Sequence, residues 1–178
     1  MDASKVFESF FRGMGVNIDV TIFSLIIPFG LGVLFTILCA KNRRTEKIFS
    51  WISLPFECVC PPVMLCVLYF LVFPRNKIAT LITVMCFTLA FFGYMPARYN
   101  RSMSLWRNIV YNGLGLYGAI FKWSFCVGLI GQVDMLKTAD VIRARTYTSD
   151  YLIVPLVFSV IVIAIIEVAR RIIKNGAK

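Results

Sequence analysis

Five strongly apolar stretches fill most of this 178-residue chain, and the connections between them are too short to be separate domains. They run over Val20–Ala40, Ile48–Phe73, Ile78–Tyr94, Ile109–Ile130 and Tyr151–Ile166. A hydrocarbon core of about 30 Å takes roughly 20 helical residues. The first two stretches meet that length, and the third and fifth must borrow flanking residues. Unpaired backbone groups are too costly to expose to lipid, so such a chain is expected to be a helix bundle. The expectation is therefore an all-α membrane protein of five transmembrane helices in one domain. An interfacial arm would occupy 1–19, the bundle 20–166 and a basic tail 167–178.

The charges set an orientation. With 59% hydrophobic and 16% charged residues, a net charge of +10 would suggest nucleic acid only in a soluble protein. Here the basic residues cluster in short loops, which moves the reading to the positive-inside rule and away from nucleic acid. One side collects Lys5, Arg12, Arg75, Lys77, Lys137, Arg143 and Arg145. The other collects Lys41, Arg43, Arg44, Lys47, Arg98, Arg101, Arg107, Arg170, Arg171, Lys174 and Lys178. The richer side is expected to be cytoplasmic, giving an external N-terminus and an internal C-terminus. Asp2, Glu8, Asp19, Asp134, Asp140 and Asp150 all fall on the poorer side. The first residues do not read as a signal peptide, because Asp2, Lys5, Glu8 and Arg12 interrupt them. Val6, Phe7, Phe10, Phe11 and Met14 recur at helical spacing, as an interfacial helix would have them. The 20-residue segment Gly131–Asp150 is long for a compact bundle, and Val133, Leu136 and Ala139 would form one face of a short helix there.

Ionisable side chains inside a span are expensive and mark functional positions. Glu57 lies in the second stretch and Lys122 interrupts the fourth. Two readings stand for them: a Glu–Lys pair facing a cavity, or Glu57 solvated near the surface and Lys122 snorkelling. Pro61-Pro62 cannot continue helical hydrogen bonding, so the second span should be kinked or broken there. Gly115 and Gly118 would let a neighbouring helix approach the fourth. The six cysteines lie in or beside apolar stretches, as small filler does. Cys58 and Cys60 alone, in a chain without histidine, make a weak case for metal, and neither a metal nor a cofactor is expected. No phosphate loop and no Ser/His/Asp set occur, so catalysis is not expected.

The C-terminal half resembles the permease subunits of polar amino-acid ABC importers. The resemblance runs through Lys122-Trp123-Ser124-Phe125, Ile130-Gly131 and Asp134-Met135-Leu136. It continues through Ala139, Ile142 and Thr146-Tyr147 to Arg170-Arg171. In the N-terminal half, Thr21 and Ser24 open the first span, and Pro61 to Pro74 matches a Pro–Pro spacing of the family. The family's five-helix core (the type I importer permease), external N-terminus and internal C-terminus agree with the orientation read from the charges. The chain departs from the family in two places. Cys58 stands where the family has the Arg of Arg-Gly-Thr-Pro. The connection Met95–Asn108 is only 14 residues, too short for the Glu-Ala-Ala coupling helices.

The resemblance implies a transport subunit of the bacterial cytoplasmic (inner) membrane, passing a small polar solute such as an amino acid by alternating access. Its partners would be a second permease subunit (the same chain or a homologue), a cytoplasmic ABC ATPase and an external solute-binding protein. Glu57, Lys122 and Ser124 would line the substrate pathway, and Arg98, Arg101, Ser102, Leu105, Trp106 and Arg107 would face the ATPase. The alternative is a degenerate permease-like scaffold or regulator without transport, for which the short connection is the evidence.

Overall fold

The computed structural model describes residues 3–58, 60–72, 79–130, 132–147 and 150–175. Among these every regular element is helical. In order they are α1 (Ala3–Lys41), α2 (Arg43–Cys58), α3 (Pro61–Val67), α4 (Ala79–Phe91), α5 (Tyr94–Ala97), α6 (Leu105–Ser124), α7 (Met135–Thr146) and α8 (Ile153–Asn175). Phe73, Pro74, Arg75, Lys77, Gly131 and Lys178 lie outside the described residues.

The expected arm and first span are one helix. α1 has 39 residues, so at 1.5 Å each it is about 58 Å long, nearly twice a hydrocarbon core. It continues through Pro28, whose missing N–H leaves the Ser24 carbonyl without its helical donor. Its second half lies antiparallel to α6: Asn17 meets Ser124 at one end, and Phe29 packs over Gly113 farther along. Residues before Asn17 run on past the end of α6, where Val6 and Phe10 pack on Met135, Ala139 and Ile142 of α7. Phe7 and Phe11 point away, 67% and 64% exposed, so the arm's apolar residues divide between α7 and the surroundings.

The second stretch is two helices. α2 ends at Cys58 and α3 starts at Pro61, with Pro61 and Pro62 in its first turn, where their missing N–H groups cost nothing. α3 then loosens into a π-helical turn over Leu68–Val72. The fourth stretch begins earlier and ends earlier than its apolar run. α6 starts at Leu105, stops at Ser124, and is followed by a 3₁₀ turn over Val127–Ile130. Its core face carries Ile109, Leu116 and Ile120 against α1 and α4, joining Val20, Phe87, Ala90 and Met95 in the main core, while Phe121 packs edge-on against Phe158 of α8. α8 lies antiparallel on the other side of α6, Ile166 over Gly118 and Arg170 over Gly115, as the small-residue face predicts.

In α7 the packed face is Met135, Thr138, Ala139 and Ile142. This corrects the expected face, since Val133 precedes the helix and both it and Leu136 are exposed. α7 is capped by Asp134, whose Oδ1 accepts from the Lys137 N–H at 2.7 Å. It stops at Tyr147, in the left-handed conformation with φ 57°. Asp134 is buried and its Oδ2 has no partner; burial raises its pKa, against the backbone N–H groups and Lys137, which lower it. A folded carboxyl with a raised pKa contributes fully below its unfolded value, and that contribution is lost as pH rises through the folded one. Asp134→Asn keeps a capping oxygen without the charge. The variant is therefore expected to melt above the wild type at pH 7, with the gap closing as pH falls toward 4. Thermal unfolding of both proteins across that range would refute this if the gap were constant.

α1 and α8 are long and apolar enough to cross a membrane. Only 28% and 6% of their most apolar windows are buried, the reverse of a core helix in a soluble protein. Leu156, Val160, Ile165 and Ile172 of α8 all face outward. This is the surface of a membrane protein.

Candidate functional site

The basic loop between α5 and α6 is a built turn. Asn108 is fully buried in the first turn of α6. Its Nδ2 donates to the carbonyls of Asn100 (2.7 Å), Met103 (3.0 Å) and Ser104 (3.2 Å), and its Oδ1 accepts from the Asn100 N–H at 2.9 Å. Asn100 in turn accepts from the N–H and hydroxyl of Ser102, at 2.9 and 2.7 Å. One turn along α6, buried Asn112 donates to the Arg98 carbonyl at 3.2 Å. The loop is thus fixed from the helix it precedes.

Six residues were expected to present this surface, and the structure separates them. Arg101 is tied down, its Nε 2.9 Å from Glu46 on α2 and its guanidinium 3.4 Å from the Cys39 carbonyl. Arg98 lies 3.9 Å over the Tyr94 ring. Ser102 is held by Asn100, and Leu105 packs inward on the main core. Trp106, 76% exposed, and Arg107 project outward. The Arg101–Glu46 pair and the Arg101–Cys39 contact bring Lys41, Arg43 and Arg44 to the same end of the bundle.

Two of the three expected pathway residues, Lys122 and Ser124, point to different sides of α6. Lys122 is exposed in the last turn of α6, two residues before the helix ends, where a cation complements the helix dipole. The long apolar run around it is therefore not continuous helix. Ser124, one of the expected pathway residues, faces the interior instead: its hydroxyl accepts from Asn17 Nδ2 at 3.1 Å and donates to the Phe121 carbonyl at 2.8 Å. The side chain of Glu57 lies outside the described residues.

Lys122 does line a groove of about 550 Å³ between α6 and α8. Gly115 and Gly118 make its floor, and Trp123 and Ile163 are among its walls. The far end carries Tyr94 and an Arg170–Glu167 pair at 2.8 Å. Arg170 also donates to the Tyr111 carbonyl at 3.3 Å and stacks 4.3 Å over that ring. Lys122 and Gly115 are seven residues apart, about 10 Å along the helix. The groove therefore has a cation at one end, charges of both signs at the other, and an apolar waist. Among the described residues no three Cys, Asp or Glu side chains converge to hold a metal ion.

Sequence reasoning missed Asn17, Asn108 and Asn112, all fully buried. The available signal was their cost: an amide in an apolar helix is retained where it is paired. It also missed Glu167 as the partner of Arg170.

One solved structure matches over nearly the whole chain, a chain in a crystal structure of an amino acid ABC transporter with histidines. The match covers 98% of this chain and 94% of that one, with a TM-score of 0.66 and 16% identity. This chain shares that fold. No protein-family model matches it, and no curated protein matches it in sequence.

Proposed function

We propose that the chain is the membrane-spanning subunit of an ABC importer, passing a small polar solute, an amino acid by class, by alternating access. The observation that carries this reading is the likeness of fold over 98% of the chain to an amino acid ABC transporter chain. In this reading five spans cross a bacterial inner membrane with the N-terminus outside. Long α1 and α8 cross alone, α3 with its π-helical turn and α4 account for two more spans, and α6 crosses as the central helix. A second permease subunit, an external solute-binding protein and a cytoplasmic ATPase complete the assembly. Trp106 and Arg107, projecting from a turn fixed by Asn108, meet the ATPase in place of a coupling helix. The charges along the α6–α8 groove suit a zwitterion, with Lys122 taking the carboxylate and Glu167 the ammonium group.

Co-purification in mild detergent tests the assembly. Recovery of an ABC ATPase whose hydrolysis is stimulated by a binding protein is expected. Recovery without one would replace importer by scaffold. Lys122→Ala is expected to lower solute uptake about tenfold or more at normal membrane insertion, the cost of one charge-assisted contact. Unchanged uptake would remove Lys122 from the pathway.

A further inference from the structure

A larger hollow, of about 850 Å³, lies at the opposite end of the bundle from the arginine loop, between the first half of α1 and α7. Arg12, Val16, Asp19 and Phe23 line it from one face of α1, at the helical spacing that keeps residues in register. α7 contributes Val141 and, from its last turn, Arg145. The walls are mostly apolar, yet two guanidinium groups and one carboxylate border them. Among the described residues the exposed side chains of Arg12, Asp19 and Arg145 make no hydrogen bond or ion pair, whereas neighbouring Lys137 and Arg143 both pair with Asp140.

The position of the hollow fits a lipid headgroup. Asn17 is level with the end of α6, so Arg12 and Asp19 straddle the point where the bundle ends and the long helix runs on. Phe23, one of the walls, is 56% exposed and belongs to an outward strip with Ile22, Ile26 and Ile27. Hydrocarbon lying on that strip reaches the apolar wall without crossing polar surface. Guanidinium groups bind phosphate oxygens with paired N–H donors, and an ammonium group suits the carboxylate seven residues along.

We propose that this hollow binds one glycerophospholipid with an ethanolamine head. Its phosphodiester sits between Arg12 and Arg145, its ethanolamine arm folds back along α1 to bring the ammonium to Asp19, and an acyl chain runs on over Phe23. The site joins α1 to α7 through the lipid, apart from any substrate path.

Native mass spectrometry of the full chain, delipidated and then titrated with phosphatidylethanolamine, phosphatidylglycerol or inorganic phosphate, tests it. The expected result is one retained phosphatidylethanolamine per chain, reduced about tenfold in Arg12→Gln/Arg145→Gln. Either single variant should also lower occupancy, which keeps the test intact if the double variant is poorly folded. Asp19→Asn should reduce the preference for ethanolamine over glycerol heads while phosphatidylglycerol still binds. Equal retention by wild type and variants, or none by wild type, overturns the proposal. Displacement of the lipid by inorganic phosphate also overturns it, leaving a simple anion site.

Discussion

Replacing Asn108 by Ala is expected to destabilise the protein by roughly 2–4 kcal/mol, because it orphans the Asn100 N–H and the Met103 carbonyl and takes a second donor from the carbonyls of Asn100 and Ser104. All four groups converge on one amide, but the carbonyls of Asn100 and Ser104 keep the backbone N–H groups of residues 103 and 108, and alanine leaves the other two without a replacement. Water reaches the outer part of the turn and offsets part of the loss, so the estimate stays below two full desolvation penalties. Asn108→Asp keeps the acceptor for Asn100 but turns a carboxylate toward three carbonyl oxygens, and should be no better than alanine. Ser102→Ala is the control: its hydroxyl is exposed and its backbone N–H still reaches Asn100, so a change of no more than about 0.5 kcal/mol is expected. Thermal unfolding in detergent micelles would reject the account if the alanine variants at 102 and 108 melted together. In the importer reading Asn108→Ala would also cut ATPase coupling, since the turn it fixes presents Trp106 and Arg107.

Two glycines only a short step apart on α1 should respond to the same substitution with opposite signs. A Cβ at Gly13 would lie 2.9 Å from the Met135 backbone N and Cα, and 3.0 Å from the Asp134 carbonyl carbon. No rotamer change relieves a clash with backbone, so α1 and α7 must separate. That loosens the Met135 N–H bond to Asn17 Oδ1, now 3.0 Å, and the packing of Phe10 on Ala139 and Ile142. Gly13→Ala is expected to cost about 1–3 kcal/mol, more than its gain in helix propensity. A Cβ at Gly15 meets nothing within 4 Å. Gly15→Ala should therefore stabilise by about 0.5–1 kcal/mol through propensity alone. Melting temperatures that moved the same way in both variants would show that the approach of α1 to α7 is not limiting.

The helices were readable from apolar run length where the run faces lipid, as on α8, whose residues face outward almost throughout. Run length failed where packing decides. Around Lys122 the apolar residues continue to Ile130, but the helix ends at Ser124 because Asn17 and the α7 entry claim that end. The break before α3 was legible because Pro61-Pro62 is a covalent constraint that no packing can override. The unbroken length of α1 was not, since the polar residues before Val20 read as a boundary while α7 covers Val6 and Phe10. Of the expected site residues, Trp106 and Arg107 are exposed and Ser124 is buried. A hydroxyl in an apolar run is as readily a joint between helices as a contact for solute, and the bond from Ser124 to distant Asn17 could not be read from the sequence.

The single long α1 also sets an order of events in synthesis. It leaves the ribosome before the other described helices, yet Asn17 finds its partners 107 and 118 residues later, at Ser124 and Met135. Loop closure over such separations is slow, and the contacts cannot form until most of the chain exists. Until then α1 carries a buried-type amide and small-residue faces with nothing to cover them, at positions 13, 17 and 32. Newborn α1 must therefore be held apart from other chains in the interval, and its folding is completed by α6 and α7.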